Sequence, residues 1–296
     1  MTAEDPVALC LAGRISAEVA IARLVLAGCS REDIARRLSA PAATSALARL
    51  AAEQQDGIAR LARMLAASGL DHASAVGTLD EALARIRTAF DRAVACSPEA
   101  SVAVYSLGDA AILDAATEEL LHWLAAQGLI GPQADVLDLG CGIGRVAAAL
   151  APRCRSVLGI DIAPGMIAEA RRRCAAPNLS FALGSGHDLS AAARRRFDLV
   201  LAVDTFPYLV QAGAPLAERH VADASRLLRP AGVLAILNLS YRGDAGADRT
   251  DIARWADSFG FEIAVGGAAP FAIWDGTAFV LRRPVQPAVE RATISP

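Results

Sequence analysis

The sequence predicts an α/β fold, in which a doubly wound sheet of seven strands follows an all-helical N-terminal region. Up to about residue 95, alanine, leucine and arginine recur at spacings of three and four, as in amphipathic helices. From residue 135 onward, short apolar runs alternate with helical stretches, which is typical of a parallel sheet buried on both faces. These patterns predict a helical region over 1–98, a linker over 99–109, a main domain over 110–283 and a tail over 284–296.

The composition excludes several classes of protein. The 296 residues are 54% hydrophobic and 21% charged, which excludes a disordered chain. A net charge of −3 offers no broad cationic field for nucleic acid or a membrane surface. All 29 basic residues are arginines, so a Schiff-base lysine and a G-K-[ST] phosphate loop are both excluded.

The cysteines and histidines indicate neither a disulfide framework nor a metal site. The six cysteines show no paired spacing, and the four histidines lie far apart. Acidic residues occupy the first positions, where a secretory signal needs positive charge, and no uncharged apolar stretch reaches the 18 residues of a membrane span. We therefore expect a soluble, cytoplasmic protein without a metal.

Each predicted element has its own signal. In the helical region, Ser30 to Asp33 resembles a capping box, and Thr78 to Glu81 matches one fully. A helix over 109–127 is expected to open the main domain. The predicted strands cover 135–139, 156–160, 179–183, 198–203, 233–239, 261–265 and 277–281. A helix over about 247–258 precedes the last two strands, which have no helix between them and should pair antiparallel.

A glycine-rich turn follows the first strand. Gly140, Gly142 and Gly144 alternate with other residues, so bare backbone there can approach a ligand closely. The second strand ends in Asp161, 19 residues after Gly142. In a doubly wound sheet this carboxylate lies beside the glycine turn and can accept both hydroxyls of a ribose. A dinucleotide fingerprint needs its third glycine one residue later than Gly144, so this spacing argues against a nicotinamide oxidoreductase.

At this point the sequence resembles the class I S-adenosylmethionine-dependent methyltransferases, whose fold is Rossmann-like. Residues 136–144 are similar to their first motif and 157–161 to their ribose-binding segment. Residues 197–201 are similar to their fourth strand, and 227–233 to their turn into the fifth. The resemblance implies S-adenosyl-L-methionine as cofactor, a methyl transfer to an O, N or C atom of a small-molecule acceptor, and an antiparallel last strand between the fifth and sixth.

The resemblance also implies roles for individual residues. Gly140, Cys141 and Gly142 would line the methionine part of the cofactor. Asp138 would support the loop or the cofactor's amino group. The other implied cofactor contacts are Asp161 at the ribose, Met166 near the adenine, Gly186 and His187 at the ring edge, Asp204 after the fourth strand, and Tyr105 over the cofactor carboxylate.

No single catalytic base is evident. An acceptor alcohol or amine must lose a proton, and the candidates at strand ends include Asp204, Tyr208 and Tyr241. For each a structural role is a strong alternative, and Tyr208 is as well explained as part of a pocket wall. We therefore leave the base open.

The helical region admits two further interpretations. Residues 28–38 look like the first helix of a helix-turn-helix, which would make the chain a cofactor-sensing DNA-binding regulator. The stretch 42–50 that should then read bases offers little beyond Arg49, and 11 arginines balance 11 acids over 1–95. We favour helices that form a lid over the acceptor site or a homodimer surface, with neither nucleic acid nor membrane as partner.

Overall fold

The computed structural model describes residues 4–39, 45–70 and 77–285. Within these ranges the α-helices are α1 (Pro6–Leu11), α2 (Ala17–Leu26), α3 (Arg31–Leu38), α4 (Ala46–Glu53), α5 (Gln55–Ser68), α6 (Leu79–Cys96), α7 (Pro98–Val102), α8 (Ala110–Ala126), α9 (Arg145–Leu150), α10 (Pro164–Arg173), α11 (Phe206–Ala212), α12 (Ala214–Leu227) and α13 (Ala245–Phe259). The strands are β1 (Asp135–Leu139), β2 (Ser156–Asp161), β3 (Leu179–Leu183), β4 (Phe197–Val203), β5 (Leu228–Leu237), β6 (Glu262–Ala268) and β7 (Ala278–Arg282). The predicted tail lies outside the described residues from residue 286 onward.

Both predicted capping boxes are confirmed. At the start of α3, the Ser30 hydroxyl accepts from the Asp33 N–H at 3.1 Å, and the Asp33 carboxylate accepts from the Ser30 N–H at 3.1 Å. At the start of α6, the Glu81 carboxylate accepts from the Thr78 N–H at 2.7 Å. Each pair satisfies two backbone donors that the first helical turn leaves free.

The seven strands form one sheet in the order β3-β2-β1-β4-β5-β7-β6. The strands from β1 to β5 pair in parallel, whereas β7 pairs antiparallel with both β5 and β6. The predicted fold class is therefore confirmed, including the antiparallel strand inserted between the fifth and sixth. The carboxyl ends of β1 and β4 lie side by side where the chain changes direction across the sheet, which is where such sheets bind ligands.

The fifth strand differs from its predicted bounds at both ends. It begins at Leu228, which pairs with Phe197 before a register shift leads to the regular ladder at Leu199. It ends at Leu237 because Asn238 adopts a left-handed backbone with φ 71°, which cannot continue a strand.

Two apolar layers cover the sheet. Alternate strand residues such as Val136 and Leu201 face the helical region together with α8, α9 and α10. The residues between them, such as Leu137 and Val200, face the core that holds α11, α12 and α13. This alternation follows from the two-residue period of a strand. The helical region thus packs on one face of the sheet.

The segment over 99–109 is packed structure, although its sequence predicts a linker. It contains part of α7 and a 3₁₀ turn (Val104–Ser106), and Ala100, Tyr105 and Leu107 are buried in it. Its apolar residues fill the space between the helical region and the loop after β1. The division into domains stays a prediction, as does pairing of two copies through the N-terminal helices.

Two further findings concern the cysteines and the length of the apolar helices. All six cysteines are free. Within the described ranges, no helix has both the length and the apolar character that crossing a bilayer requires.

Candidate active site

A cavity of about 610 Å³ lies at the carboxyl ends of β1, β2, β4 and β5. Small-molecule sites commonly enclose roughly 300–1,000 Å³. The loops after these strands form one wall of the cavity, and α2, α6, α7 and the β6–β7 loop form the opposite wall. The helical region therefore completes the site.

The loop after β1 brings backbone to this cavity at Gly140 and Gly142. Their φ angles of 73° and 53° lie in the left-handed region that favours glycine. A Cβ at Gly140 would lie 2.1 Å from the hydroxyl oxygen of Thr205, and a Cβ at Gly142 would lie 2.5 Å from a methyl carbon of Val102. These two glycines are therefore required by contacts within the protein. The predicted close approach of a ligand is a second reason for them.

Asp161 ends β2 beside this loop. One of its carboxylate oxygens accepts from the Gly142 N–H at 2.9 Å, and the other accepts from the Ala163 N–H at 2.9 Å. Burial raises the pKa of Asp161 to about 6, against the opposing effect of these backbone hydrogen bonds. A carboxylate offers about four acceptor sites. Asp161 also lines the cavity, where a carboxylate is a suitable acceptor for the hydroxyls of a ribose.

Asp138 lies beneath the loop rather than on the cavity wall. It is buried, and its Oδ2 has no hydrogen-bond partner among the residues that the structure describes. Burial raises the pKa of Asp138 to about 7; Arg145 opposes this rise and Asp161 adds to it. A buried carboxyl oxygen without a partner is unusual, and it marks a place where a donor could bind next to the loop.

The raised pKa of Asp138 predicts a pH-dependent stability. The folded protein binds this proton more tightly than the unfolded chain, so the stabilisation is present at low pH and lost as pH rises through about 7. Between pH 5 and pH 8, the free energy of unfolding should fall further in the unmodified protein than in the Asp138→Asn variant. The two declines should differ by about 2–3 kcal/mol. Urea unfolding at both pH values measures this difference. Asp257→Asn on the exposed side of α13 is the control, and an equal decline in D138N and D257N would contradict the assignment.

Tyr105 lies against the cavity. Its ring stacks on Trp274 with centroids 6.2 Å apart. Its hydroxyl is hydrogen-bonded to Arg145, whose guanidinium also donates to Thr117 at 2.8 Å. Burial raises the pKa of Tyr105, so its hydroxyl remains a neutral donor or acceptor at physiological pH.

Asp204 and Asn238 occupy the ends of β4 and β5. Both have left-handed backbone, with φ 57° and 71°, and the Asn238 amide donates to the Asp204 carboxylate at 2.7 Å. Burial raises the pKa of Asp204, while hydrogen bonds from Tyr241 and Asn238 oppose that rise. The arrangement holds one carboxylate at the centre of the cavity wall.

The structure brings the three candidate bases together. Tyr241 is hydrogen-bonded to both Asp204 and Tyr208. Because a phenol has one proton, donation from Tyr241 to Asp204 leaves Tyr208 to donate to Tyr241. The two tyrosine rings meet edge to face at 5.8 Å, and Phe90 of α6 contacts Tyr208 in the same way at 4.9 Å. Burial raises the pKa of both tyrosines.

Of the remaining predicted residues, two line the cavity and two do not. Met166 and Gly186 line it. Cys141 is buried, and its thiol packs next to Gly159. The His187 imidazole lies 3.0 Å from Asp80 of α6, and its backbone N–H donates to the Ser185 hydroxyl. His187 thus connects the sheet to the helical region instead of facing the cavity.

The β6–β7 loop contributes cavity residues that the sequence analysis did not identify. The Glu119 carboxylate of α8 accepts from the backbone of Ala272 at 2.6 Å and of Ile273 at 3.2 Å. These bonds hold Trp274 over the cavity, and Asp275 pairs with Arg23 of α2 at 2.5 Å. The one signal in the sequence was a tryptophan followed by Asp-Gly between two strands, a composition that many turns share.

Comparison with known proteins finds a methyltransferase domain within the sheet. A model of the methyltransferase domain matches residues 136–232. The chain is 38% identical over 107 residues to trans-aconitate 2-methyltransferase of Deinococcus radiodurans, covering 36% of this chain and 38% of that protein. It is 30% identical over 162 residues to demethylmenaquinone methyltransferase of Tropheryma whipplei, covering 53% of this chain and 60% of that protein. The chain therefore matches only part of the length of each relative.

Solved structures support the fold. Phosphoethanolamine N-methyltransferase 1 of Haemonchus contortus, in complex with phosphoethanolamine and S-adenosylhomocysteine, superposes with a TM-score of 0.55 at 18% identity. The match covers 72% of this chain and 51% of that one. At this identity the similarity concerns the fold alone. Residues 136–232 are thus similar in sequence to a methyltransferase domain, and the sheet that contains them has the fold of a solved methyltransferase.

Proposed function

We propose that this chain transfers a methyl group from S-adenosylmethionine to a small-molecule acceptor. The observation that carries the proposal is the single cavity that runs from Asp161 and the loop after β1 to the Asp204, Tyr208 and Tyr241 cluster. One end offers groups that suit a nucleoside, and the other offers an aromatic wall with a carboxylate. A transfer between two bound molecules needs such adjoining sites.

The cofactor end is assigned to six residues. We assign the ribose hydroxyls to Asp161, the methionine part to the backbone of Gly140 and Gly142, and the adenine to Met166 and Gly186. Tyr105 lines the same end of the cavity, and we assign the carboxylate of the cofactor to it. The position of Asp161 on the cavity wall, next to Gly142, supports this orientation.

When bound, the cofactor supplies a methyl group on a positively charged sulfur. The protein has to hold the acceptor atom in line with that bond and to exclude water. Aromatic rings from α6, α11 and the β6–β7 loop line the acceptor end and shield it. The Asp204 carboxylate can take a proton from the acceptor, because burial has already brought its pKa closer to neutrality.

Two features support an acceptor of small size. The helical region covers the cavity, so a large substrate would have to displace packed helices. The arginines of α3 are engaged by acids: Arg31 by Glu32, Arg36 by Asp33 and Arg37 by Asp5. These acids balance the charge of the arginines, so α3 offers no net cationic patch to a DNA phosphate, which does not favour the DNA-binding alternative.

Calorimetric titration with S-adenosylmethionine tests the proposal. We expect one molecule to bind per chain, and we expect no binding of NADH under the same conditions. Folded protein that leaves the cofactor unbound at hundreds of micromolar would rule the function out. Binding of NADH instead would favour the oxidoreductase alternative.

A further inference from the structure

We infer that the acceptor of the proposed methyltransferase is an organic amine that binds as a cation, with its nitrogen at Asp204 and its apolar body against the surrounding aromatic rings. The inference rests on the proposed function and narrows it to one chemical class of acceptor. It follows from the distribution of aromatic side chains and of charge around the cavity.

Aromatic residues are rare in the chain but concentrated at this site. They make up 5% of the sequence, which contains three tyrosines. All three tyrosines line the cavity, together with Phe90 and Trp274. Tyr208 contacts both Phe90 and Tyr241, and Tyr105 stacks on Trp274, so the rings form two connected groups. Aromatic faces attract organic cations through the negative potential above the ring.

The charges around the cavity are mostly negative. The lining contains six aspartates but a single arginine, Arg23, and Arg23 pairs with Asp275. His220 also lines the cavity, but burial lowers its pKa and keeps it neutral. Among the described lining residues, no cation remains to bind a carboxylate or a phosphate. An anionic acceptor is therefore disfavoured.

Most of these aspartates already have partners. Asp248 pairs with Arg242 at 2.6 Å. Asp188 and Asp244 accept from the backbone of Ser190 and Ala247 at their own turns. Contacts within the protein therefore account for these three aspartates.

Asp204 is different, because only neutral groups donate to it. Its hydrogen bonds come from Asn238 and Tyr241, and no ion pair to it occurs among the described residues. The guanidinium of Arg145 acts on Asp204 through its charge alone, and it is engaged by Tyr105 and Thr117. A buried carboxylate without a cationic partner is unfavourable. An ammonium group at this position would neutralise it, and the carboxylate could then accept the ammonium proton.

The experiment compares three probes of one skeleton on the full chain saturated with S-adenosylhomocysteine. The probes are 2-phenylethylamine, 2-phenylethanol and 3-phenylpropanoate, which are cationic, neutral and anionic at pH 7. We expect the amine to bind at least tenfold more tightly than the alcohol, and the acid to bind most weakly, as measured by calorimetry. In Asp204→Asn the amine should lose about tenfold in affinity while the alcohol changes less than twofold. Asp257→Asn should bind all three probes as the unmodified protein does.

Other results would overturn the inference. These are equal or better binding of the alcohol or the acid, no binding of the amine, or an amine preference that survives in D204N. Weaker S-adenosylhomocysteine binding in D204N with an intact amine preference would assign the carboxylate to the cofactor instead. Should D204N fail to fold, Tyr208→Leu, which removes a ring, must reduce the amine preference. Failure to bind S-adenosylhomocysteine at all would contradict the proposed function itself.

Discussion

Replacing Gly140 with alanine should destabilise the protein by roughly 3 kcal/mol or more, which combines the cost of left-handed backbone with that of overpacking. The backbone at Gly140 has φ 73°, and the new Cβ would lie 2.1 Å from the Thr205 hydroxyl oxygen. Thr205 cannot easily move, because its hydroxyl donates to the Leu139 carbonyl at 2.7 Å. The same displacement would distort the loop and remove cofactor binding.

Gly128→Ala provides the matched control. Gly128 has a similar φ of 65°, but a Cβ there would meet nothing within 4 Å. It therefore measures the backbone cost alone. Urea unfolding of both variants should show a larger loss for G140A, and equal losses would mean that the contact with Thr205 carries no energy.

Replacing Asp161 with alanine should weaken cofactor binding by about 5- to 150-fold, which corresponds to the 1–3 kcal/mol of charge-assisted hydrogen bonds. The variant loses the acceptors for the ribose and also releases the Gly142 N–H that the carboxylate holds at 2.9 Å. Calorimetry with S-adenosylhomocysteine measures the effect. The exposed Asp257→Ala is the control, and an unchanged affinity in D161A would refute the ribose role.

The ribose role of Asp161 also predicts how cofactor affinity depends on pH. Ribose hydroxyls donate to the ionised carboxylate, and the pKa of Asp161 is raised to about 6. The affinity of the unmodified protein should therefore rise between pH 5 and pH 7. In D161A this rise should be absent. If Asp161 had only a structural role, the affinity of D161A would depend on pH in the same way as that of the unmodified protein.

The sheet could be predicted from the sequence because its signals are local. The strands over 135–139 and 179–183 have their predicted bounds, since each is a short apolar run between residues that end strands. The detailed packing of the helical region could not be predicted in this way. Helical periodicity shows that a face is buried but not what buries it, and so the packing of residues 99–109 against the loop after β1 emerges only in the structure.

The candidate site, too, could be predicted only in part from the sequence. Asp161 follows from its spacing to Gly142, a relation that one βαβ unit fixes. Asp204, Tyr208 and Tyr241 could be named only as separate candidates, because two neighbouring strand ends far apart in sequence bring them together. Trp274 reaches the cavity because hydrogen bonds to Glu119 and Ser16 hold its loop in place. No sequence pattern predicts these contacts.

Asp204 and Asn238 end neighbouring strands with a backbone that glycine adopts more easily. Each residue costs roughly 1 kcal/mol in that conformation. At these two positions, the backbone conformation that lowers stability therefore goes together with the side chains that the site needs. Glycine at either position would relieve the strained backbone, but it would also remove the carboxylate of Asp204 or the amide that holds it.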